Sequence, residues 1–281
     1  MCLLVLAWNV HPRYRLVIAA NRDEFHARPA APLGWWQDDT GLLAGRDLQG
    51  NGTWMGVTRT GRCGVVTNYR DLEAAPGPGA PSRGELVVDY LQSASAPGAH
   101  LEQLQPRASR YAGFNLLLGD GSGLWYYSNR GDRAPRRLEP GVYGLSNHLL
   151  DSPWPKLLRV RDRFAELVGR PSLEPNVLFE MLADRRTADD DEIPETGLPP
   201  DWERALSAPF VMHERYGTRC STLLLVEHDG NTTMFERRFD ATGAQTGSTR
   251  MQFKACPSSA LTRHVMQPRS IAATSADGGP E

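Results

Sequence analysis

Two apolar runs at the start of the chain constrain the fold more than any other feature of the sequence. Cys2–Asn9 and Arg15–Ala20 are rich in leucine, valine, isoleucine and alanine, and only a turn around Val10–Arg13 separates them. Such runs are typical of strands that are buried on both faces, and the short connection favours an antiparallel hairpin. The chain therefore needs further layers of structure that cover this hairpin.

The second run ends in four polar residues, Asn21–Glu24, and we expect them to lie at a strand end. The antiparallel partner strand begins at Cys2, so the hairpin brings this polar cluster beside the cysteine. Removal of an initiator methionine makes Cys2 the N-terminal residue, with an α-amine and a thiol on one residue. An α-amine has an unperturbed pKa of about 7.7–8.0, so it can serve as the general base for its own thiol without a histidine.

The rest of the chain alternates between strands and helical segments. A loop-rich section is predicted for residues 30–52, a hairpin for Thr53–Thr58 and Cys63–Thr67, and a helix after a capping box at Ser82–Glu85. The later predicted elements continue this alternation: a helix over His100–Arg110; strands over Gly113–Gly119, Gly123–Asn129 and Gly141–Ser146; helices over Pro153–Val168 and Pro175–Ala183; and strands over Phe210–Glu214, Arg219–Glu227, Thr232–Phe239 and Ser248–Lys254.

This order predicts the α+β class, as an αββα sandwich of two antiparallel sheets flanked by helices. Residues 1–255 are expected to form one domain. Residues 256–281 are rich in serine, alanine, glycine and proline without periodicity, so they are expected to form a disordered tail.

Charge and cysteine usage exclude several classes of partner. The 281 residues carry a formal net charge of −2, which argues against a nucleic-acid partner held through its phosphates. Cys2, Cys63, Cys220 and Cys256 lie far apart, without zinc-site spacing or a disulfide framework, so a cytoplasmic location is expected. No segment suits a signal peptide or stable membrane insertion, and no metal or organic cofactor is expected.

An N-terminal cysteine nucleophile needs one group to orient its amine, another to favour its thiolate, and donors for an oxyanion. Asp23 can accept from the amine, and Arg22 can stabilise the thiolate. Asn68 and Asn147 each follow an apolar run and can donate side-chain amides to the oxyanion. Arg219 opens a later strand and can hold negative charge. Asparagine at strand ends is also common in ordinary turns, which is the structural alternative for these positions.

Residues beside these motifs are candidates for contact with a small-molecule substrate. Tryptophans near the motifs can form an apolar pocket wall. The candidate substrate-binding residues are Asn21, Trp36, Trp54 and Tyr69. His26 and His148 also lie beside the motifs, so a Cys/His pair is an alternative source of the base.

Several motifs together resemble the NRDE family, which is named for its Asn-Arg-Asp-Glu motif and includes transport-and-Golgi-organisation proteins. The resemblance covers roughly residues 1–255. The motifs are Met1–Cys2, Ala20–Phe25 with Arg28–Pro29, Gly45–Asp47, Gly52–Val57, Thr67–Arg70 and Gly144–Asn147.

The NRDE family in turn resembles the N-terminal-nucleophile (Ntn) hydrolases of the choloylglycine hydrolase and penicillin acylase type. Five residues match those hydrolases in chain order: Cys2, Asp23, Asn68, Asn147 and Arg219. Those enzymes show Arg-Asn-x-Asp, whereas here Arg22 follows Asn21, so the arginine is shifted.

The resemblance implies two functions. The first is hydrolysis of a linear amide, or of a thioester, through an acyl-enzyme on Cys2 whose oxyanion is held by Asn68 and Asn147. The second is binding and trafficking of haem or an acyl-coenzyme A without turnover, in which Cys2 or a nearby histidine can act as an axial ligand of haem. A purely structural role is a third alternative, and it leaves the polar strand ends unexplained.

Overall fold

The computed structural model describes residues 2–39, 41–72, 79–131 and 134–256. These residues form two antiparallel sheets. The first sheet has six strands, in the spatial order Gly141–Leu145 (β10), Cys2–Trp8 (β1), Tyr14–Phe25 (β2), Tyr216–Glu227 (β11), Asn231–Phe239 (β12) and Gln245–Lys254 (β13). The second sheet is a seven-stranded meander of Ala30–Trp35 (β3), Leu42–Asp47 (β4), Met55–Thr58 (β5), Cys63–Asn68 (β6), Phe114–Gly119 (β7), Leu124–Ser128 (β8) and Arg136–Arg137 (β9).

Helices cover the outer faces of both sheets, which gives four layers in the order helix, sheet, sheet, helix. The second sheet is covered by Arg83–Gln92 (α1), Pro97–Leu104 (α2) and the 3₁₀ helix Gln105–Arg110. The first sheet is covered by Pro155–Val168 (α3) and Pro175–Leu182 (α4), while Pro200–Leu206 (α5) packs near the start of β11. The predicted αββα sandwich is therefore confirmed. Within the described ranges, no helix combines the length and the apolar character that crossing a membrane requires.

The hairpin of β1 and β2 is confirmed, and it is buried on both faces because each face belongs to a different core. Leu4 and Ile18 point into the core between the two sheets, whereas Val5 and Val17 point toward α3 and α4. Successive side chains of a strand alternate between faces. Even-numbered residues of β1 and of β2 from Leu16 onward therefore face the second sheet, and odd-numbered residues face the helices.

Strand β2 is longer than the sequence predicts. We expected it to end before the polar cluster, but it continues through Asn21–Glu24 to Phe25 and pairs there with β11. The polar side chains can stay in the sheet because β11 supplies partners; Ser221 Oγ, for example, donates to Asn21 Oδ1 at 2.6 Å. Since β1 begins only at Cys2, opposite Arg22, the end of β2 projects beyond β1.

The first turn of α1 is anchored close to this end of the sandwich. Ser82 Oγ accepts from the backbone N–H of Gly84 at 3.3 Å, so the predicted N-cap is confirmed. Glu85 does not complete a capping box, because its carboxylate accepts from the Tyr111 hydroxyl at 2.6 Å. A Cβ on Gly52 would collide with the backbone of Gly84. Glycine at position 52 therefore allows the loop after β4 to lie directly against the helix start.

Two other predictions are corrected, and one helix was not predicted. Residues 30–52 contain β3 and β4 rather than only loops; Pro32 is tolerated because β3 is an edge strand with irregular register between Ala31 and Gly34. Phe210–Glu214 is not a strand, and only Met212 makes an isolated bridge to Gly217. Helix α5 was not predicted, because it begins at the two adjacent prolines Pro199 and Pro200. The predicted tail 256–281 lies, apart from its first residue, outside the described residues.

Candidate active site

A cleft of about 330 Å³ opens beside Cys2, at the end of the sandwich where β1 begins. The end of β2, the loop after β4, the end of β6 and the start of α1 supply its walls. Its lining includes Cys2, Arg22, Trp54, Asn68 and Arg83. This volume lies within the range of about 300–1,000 Å³ that is usual for small-molecule sites. A second cavity, of about 340 Å³, is lined by none of the predicted site residues.

Cys2 and Arg22 are a cross-strand pair, so both side chains face the second sheet and the cleft. The guanidinium of Arg22 lies 4.4 Å from the ring centre of Trp54, and its nitrogen atoms are 3.7 Å from Glu24 and 3.6 Å from Asp47. Burial raises the pKa of the Cys2 thiol, and the charge of Arg22 opposes this rise without overcoming it. The thiol is therefore protonated at neutral pH and needs a base before it can attack.

Asp23 faces the helix side of the same strand and is only 1% exposed. Thr218 Oγ1 donates to its Oδ1 at 2.7 Å, and the Tyr216 hydroxyl donates to its backbone carbonyl at 2.6 Å. Burial raises the pKa of the Asp23 carboxyl, while the charge of Lys156 and the hydrogen bond from Thr218 lower it. The backbone N–H of Asp23 donates toward the Cys2 sulfur. Asp23 thus lies next to Cys2, with its carboxyl group behind the sheet.

The two predicted oxyanion donors differ in position. Asn68, at the end of β6, lines the cleft, and no described group hydrogen-bonds its side-chain amide. Asn147 is fully buried behind it, and its Nδ2 donates to the Asn68 carbonyl at 3.1 Å. Ser146 Oγ donates to the Cys2 carbonyl at 3.2 Å. Asn68 is therefore the donor that faces the cleft, whereas Asn147 holds the backbone of Asn68.

Arg219 and Asn21, predicted for catalysis and for substrate binding, both lie outside the cleft lining. Arg219 occupies an irregularity of β11, and its Nη1 donates to three backbone carbonyls of the turn at residues 25–28, at 2.9, 2.9 and 3.2 Å. Asn21 is fully buried on the helix side, where Nδ2 donates to the carbonyls of Leu182 at 2.9 Å and Pro209 at 3.0 Å. Both side chains fix the backbone around the site.

Of the remaining predicted substrate-binding residues, Trp54 lines the cleft and two do not. Trp36 lies in the core between the second sheet and its helices, and its indole N–H donates to the Ala44 carbonyl at 3.3 Å. Tyr69 packs against the ring of His148 with 5.0 Å between ring centres.

Neither predicted histidine supports a Cys/His pair. Nε2 of His26 lies 3.1 Å from the His213 carbonyl, and Nδ1 of His148 lies 2.7 Å from Ser152 Oγ. No histidine belongs to the described cleft lining. In the part of the chain that the structure describes, no group of three His, Cys, Asp or Glu side chains is placed to hold a metal ion.

Four charged residues of the cleft lining were not among the predicted site residues: Glu24, Arg28, Asp47 and Arg83. Arg28 Nε lies 2.7 Å from Asp47 Oδ2, and the Gly50 N–H donates to Asp47 Oδ1 at 3.0 Å. Burial raises the pKa of Asp47, but these hydrogen bonds outweigh it and hold the pKa below its ordinary value. Arg83 donates to the Gly113 carbonyl at 3.0 Å, and it forms no ion pair within the described residues. The Gly45–Asp47 motif carried a signal for Asp47; no local pattern marked Arg83.

Lys156, in the first turn of α3, was also missed. It is 1% exposed, and its Nζ has no hydrogen-bond partner among the described atoms. Burial lowers the pKa of Lys156 to about 8. The sequence offers one signal for it, a lysine set within the apolar stripe of a strongly amphipathic helix.

Comparison with known proteins identifies the family. Residues 1–241 match the family model described as Transport and Golgi organisation 2. The mouse and bovine Transport and Golgi organization 2 homologs are 34% and 35% identical to this chain over 257 residues, which is 84% of this chain and 92% of each relative. A solved structure, the Caenorhabditis elegans ortholog of N-acylethanolamine-hydrolyzing acid amidase, is similar with a TM-score of 0.46 and 9% identity over 80% of this chain and 92% of that chain. The chain belongs to the Transport and Golgi organisation 2 family, the family that its Asn-Arg-Asp-Glu motif predicted.

Proposed function

We propose that this protein is an Ntn-type hydrolase that cleaves a linear amide, or a thioester, by nucleophilic attack from Cys2. The observation that carries the proposal is the convergence at one cleft of the Cys2 thiol and the Asn68 side-chain amide, with the buried Asp23 next to Cys2. These are a nucleophile, an oxyanion donor and an anion that can orient an amine.

Activation of the thiol begins with removal of Met1, which frees the α-amine of Cys2. Since burial raises the pKa of the thiol, proton transfer to an adjacent base is required for attack. The α-amine is that base, and the Asp23 carboxylate stabilises the ammonium that forms. Arg22, on the same face as Cys2, stabilises the thiolate.

The thiolate then forms a bond to the carbonyl carbon of the substrate, and the Asn68 amide donates to the oxyanion. Collapse of this intermediate breaks the C–N bond, and the ammonium of Cys2 gives its proton to the departing amine. A water molecule, deprotonated by the same amine, attacks the thioester. Release of the carboxylic acid returns the proton to the thiol. We propose that this chemistry takes place in the cytoplasm, where a thiol nucleophile stays reduced.

Trapping the acyl-enzyme tests this function. Cys256 is exposed and Cys63 and Cys220 are buried, so a Cys256→Ser background leaves Cys2 as the accessible thiol of the described residues. Incubation with p-nitrophenyl octanoate, octanoyl-coenzyme A and N-octanoyl amides should add one octanoyl mass to the N-terminal peptide. Asn68→Ala should lower turnover by about 100-fold, the usual effect of losing an oxyanion donor. Hydrolysis that is unchanged in Cys2→Ala would overturn the proposal.

A second candidate function is ligand binding without turnover, and Arg83 favours it. Arg83 lines the cleft beside Arg22 and Arg28, and it has no carboxylate partner among the described residues. Such a guanidinium suits a phosphate or carboxylate of a ligand. Between the two ligands that the family resemblance implies, this favours an acyl-coenzyme A. The cleft offers haem iron a poorer set of axial ligands, because no histidine lines the described cleft and the pKa of the Cys2 thiol is raised.

Titration calorimetry with octanoyl-coenzyme A distinguishes the two functions. Binding that Arg83→Met weakens about tenfold, with no hydrolysis of the thioester by the wild type, would support the carrier. A Soret shift with haemin that is lost in Cys2→Ala would instead support haem as the cargo. Binding that is followed by Cys2-dependent hydrolysis would support the hydrolase function instead.

A further inference from the structure

We propose that Lys156 is a positioning residue of the Cys2 site, and that its ammonium group is the buried counter-charge of the Asp23 carboxylate. The consequence for catalysis rests on the proposed hydrolase function. The pairing of the two charges does not, so it can be tested separately.

The choice of residue type is the first observation. The chain contains 31 lysines and arginines, of which 29 are arginine and two are lysine. Lys254 is exposed and lies 3.4 Å from Asp229, whereas Lys156 is 1% exposed. An arginine remains charged wherever it lies, but a buried lysine can release its proton. One of only two lysines in this arginine-rich chain is therefore fully buried.

The fold places Lys156 and Asp23 on the same side of the first sheet. Helix α3 packs on the face that odd-numbered residues of β1 and β2 occupy, and Asp23 is one of these residues. The start of this helix packs closely on β10, since a Cβ on Gly144 would be 2.9 Å from a methyl carbon of Leu157, the residue after Lys156. Asp23 is the strongest charge acting on Lys156, and Lys156 is the strongest side-chain charge acting on Asp23.

The other groups around Lys156 do not provide a counter-charge. A void of about 10 Å³, the size of one water molecule, lies beside it and is also lined by Arg70 and Glu203. Glu203 is already occupied, because Arg70 lies 3.0 Å from its Oε2 and the Thr196 N–H donates to its Oε1 at 2.7 Å. Arg70 repels the ammonium, and the Cys2 thiol carries charge only when it is deprotonated. Asp23 is the carboxylate that remains.

This pairing makes the charges of the site interdependent. Burial alone disfavours both the Asp23 carboxylate and the Lys156 ammonium. Each stabilises the other, so Asp23 stays ionised and can orient the amine of Cys2 while Lys156 is protonated. Deprotonation of Lys156 above a pH of about 8 removes that support, together with a cation that favours the Cys2 thiolate.

NMR of the full chain labelled with [ε-13C]lysine tests the pairing directly. Two lysines give two resonances, and Lys156→Arg assigns them. We expect the Lys156 resonance to titrate near pH 8 and its midpoint to fall by about one pH unit in Asp23→Asn, a tenfold change in the dissociation constant. Asp229→Asn, which removes the partner of Lys254, is the matched control and should leave Lys156 unchanged. A Lys156 midpoint that does not respond to Asp23→Asn would overturn the proposal.

The rate of Cys2 alkylation tests the consequence. In the Cys256→Ser background at pH 7.5, Lys156→Met should slow iodoacetamide labelling of Cys2 about tenfold, Lys156→Arg should restore most of the rate, and Lys254→Met should have no effect. Equal rates in Lys156→Met and the wild type would contradict a positioning role. If Lys156→Met does not fold, the NMR titration still decides the pairing. If Cys2 is unreactive while Lys156 responds to Asp23, the hydrolase proposal fails and the charge pair stands.

Discussion

The two faces of strand β2 hold charge in opposite ways. On the cleft face, Arg22 and Arg28 lie within 4 Å of Glu24 and Asp47, and the ionised carboxylate of Asp47 is held by several hydrogen bonds. On the helix face, Asp23 and Lys156 are each 1% exposed, and burial shifts both toward their neutral forms.

This difference separates two tasks. Arginines paired with a low-pKa carboxylate keep their charge across the neutral range, so the cleft face offers a constant electrostatic surface to a ligand. A buried lysine and a buried aspartate depend on each other for their charge, so the helix face is the part of the site that responds to pH. The same strand can serve both because its side chains alternate between faces.

The largest expected effect comes from removing the lysine. The pKa of Lys156 is about 8 in the folded protein and 10.5 ordinarily, so the unfolded chain binds more protons between these values. The free energy of unfolding should therefore rise with pH across this window, by about 3 kcal/mol in total. Lys156→Met should lack this rise when urea unfolding is followed from pH 7 to 10.5. An identical pH dependence in both proteins would show that Lys156 is not buried as a cation.

Asp23→Asn should have the next largest effect, because it leaves the buried ammonium without its counter-charge. We expect the free energy of unfolding at pH 7 to fall by about 2 kcal/mol, measured by urea denaturation. Asp38→Asn is the matched control, since Asp38 is mostly exposed and pairs with Arg46 at the surface. It should leave stability unchanged. Equal losses in the two variants would remove the distinction between buried and exposed charges.

Arg219→Ala tests a residue that supports the backbone beside the cleft without lining it. The loss of three hydrogen bonds to the turn at residues 25–28 should lower the free energy of unfolding by about 1 kcal/mol. Because Arg219 does not line the cleft, iodoacetamide labelling of Cys2 should stay within about twofold of the wild type. A tenfold slower labelling with unchanged stability would support the catalytic role that the sequence predicted for Arg219.

Local patterns in the sequence predicted much of the fold and part of the site. The apolar runs of β1 and β2 and the amphipathic stripe of α3 are periodic signals that depend on few distant contacts. Cys2, Arg22, Asp23, Asn68 and Trp54 were predicted from motifs at the ends of such runs, and the structure gathers them around one cleft or directly behind it.

The remaining features depend on residues far away in the chain. The polar end of β2 stays in the sheet because β11, about 200 residues later, provides Thr218 and Ser221 as partners. Arg219 lies at the irregular register of β11, and its side chain contacts the turn at residues 25–28 instead of lining the cleft. Lys156 becomes a buried cation only when α3 docks against the first sheet; the apolar stripe of α3 signals that this face is buried, but not which charges lie beside it.

Intact-mass spectrometry with limiting iodoacetamide, applied to the Cys256→Ser protein, tests the central claim most directly. Our account predicts a mass without Met1 and rapid addition of a single label to Cys2. Cys63 should stay unlabelled until the protein unfolds, since burial raises the pKa of its thiol to about 12. A retained Met1, or a Cys2 that reacts no faster than free cysteine, would contradict an N-terminal nucleophile.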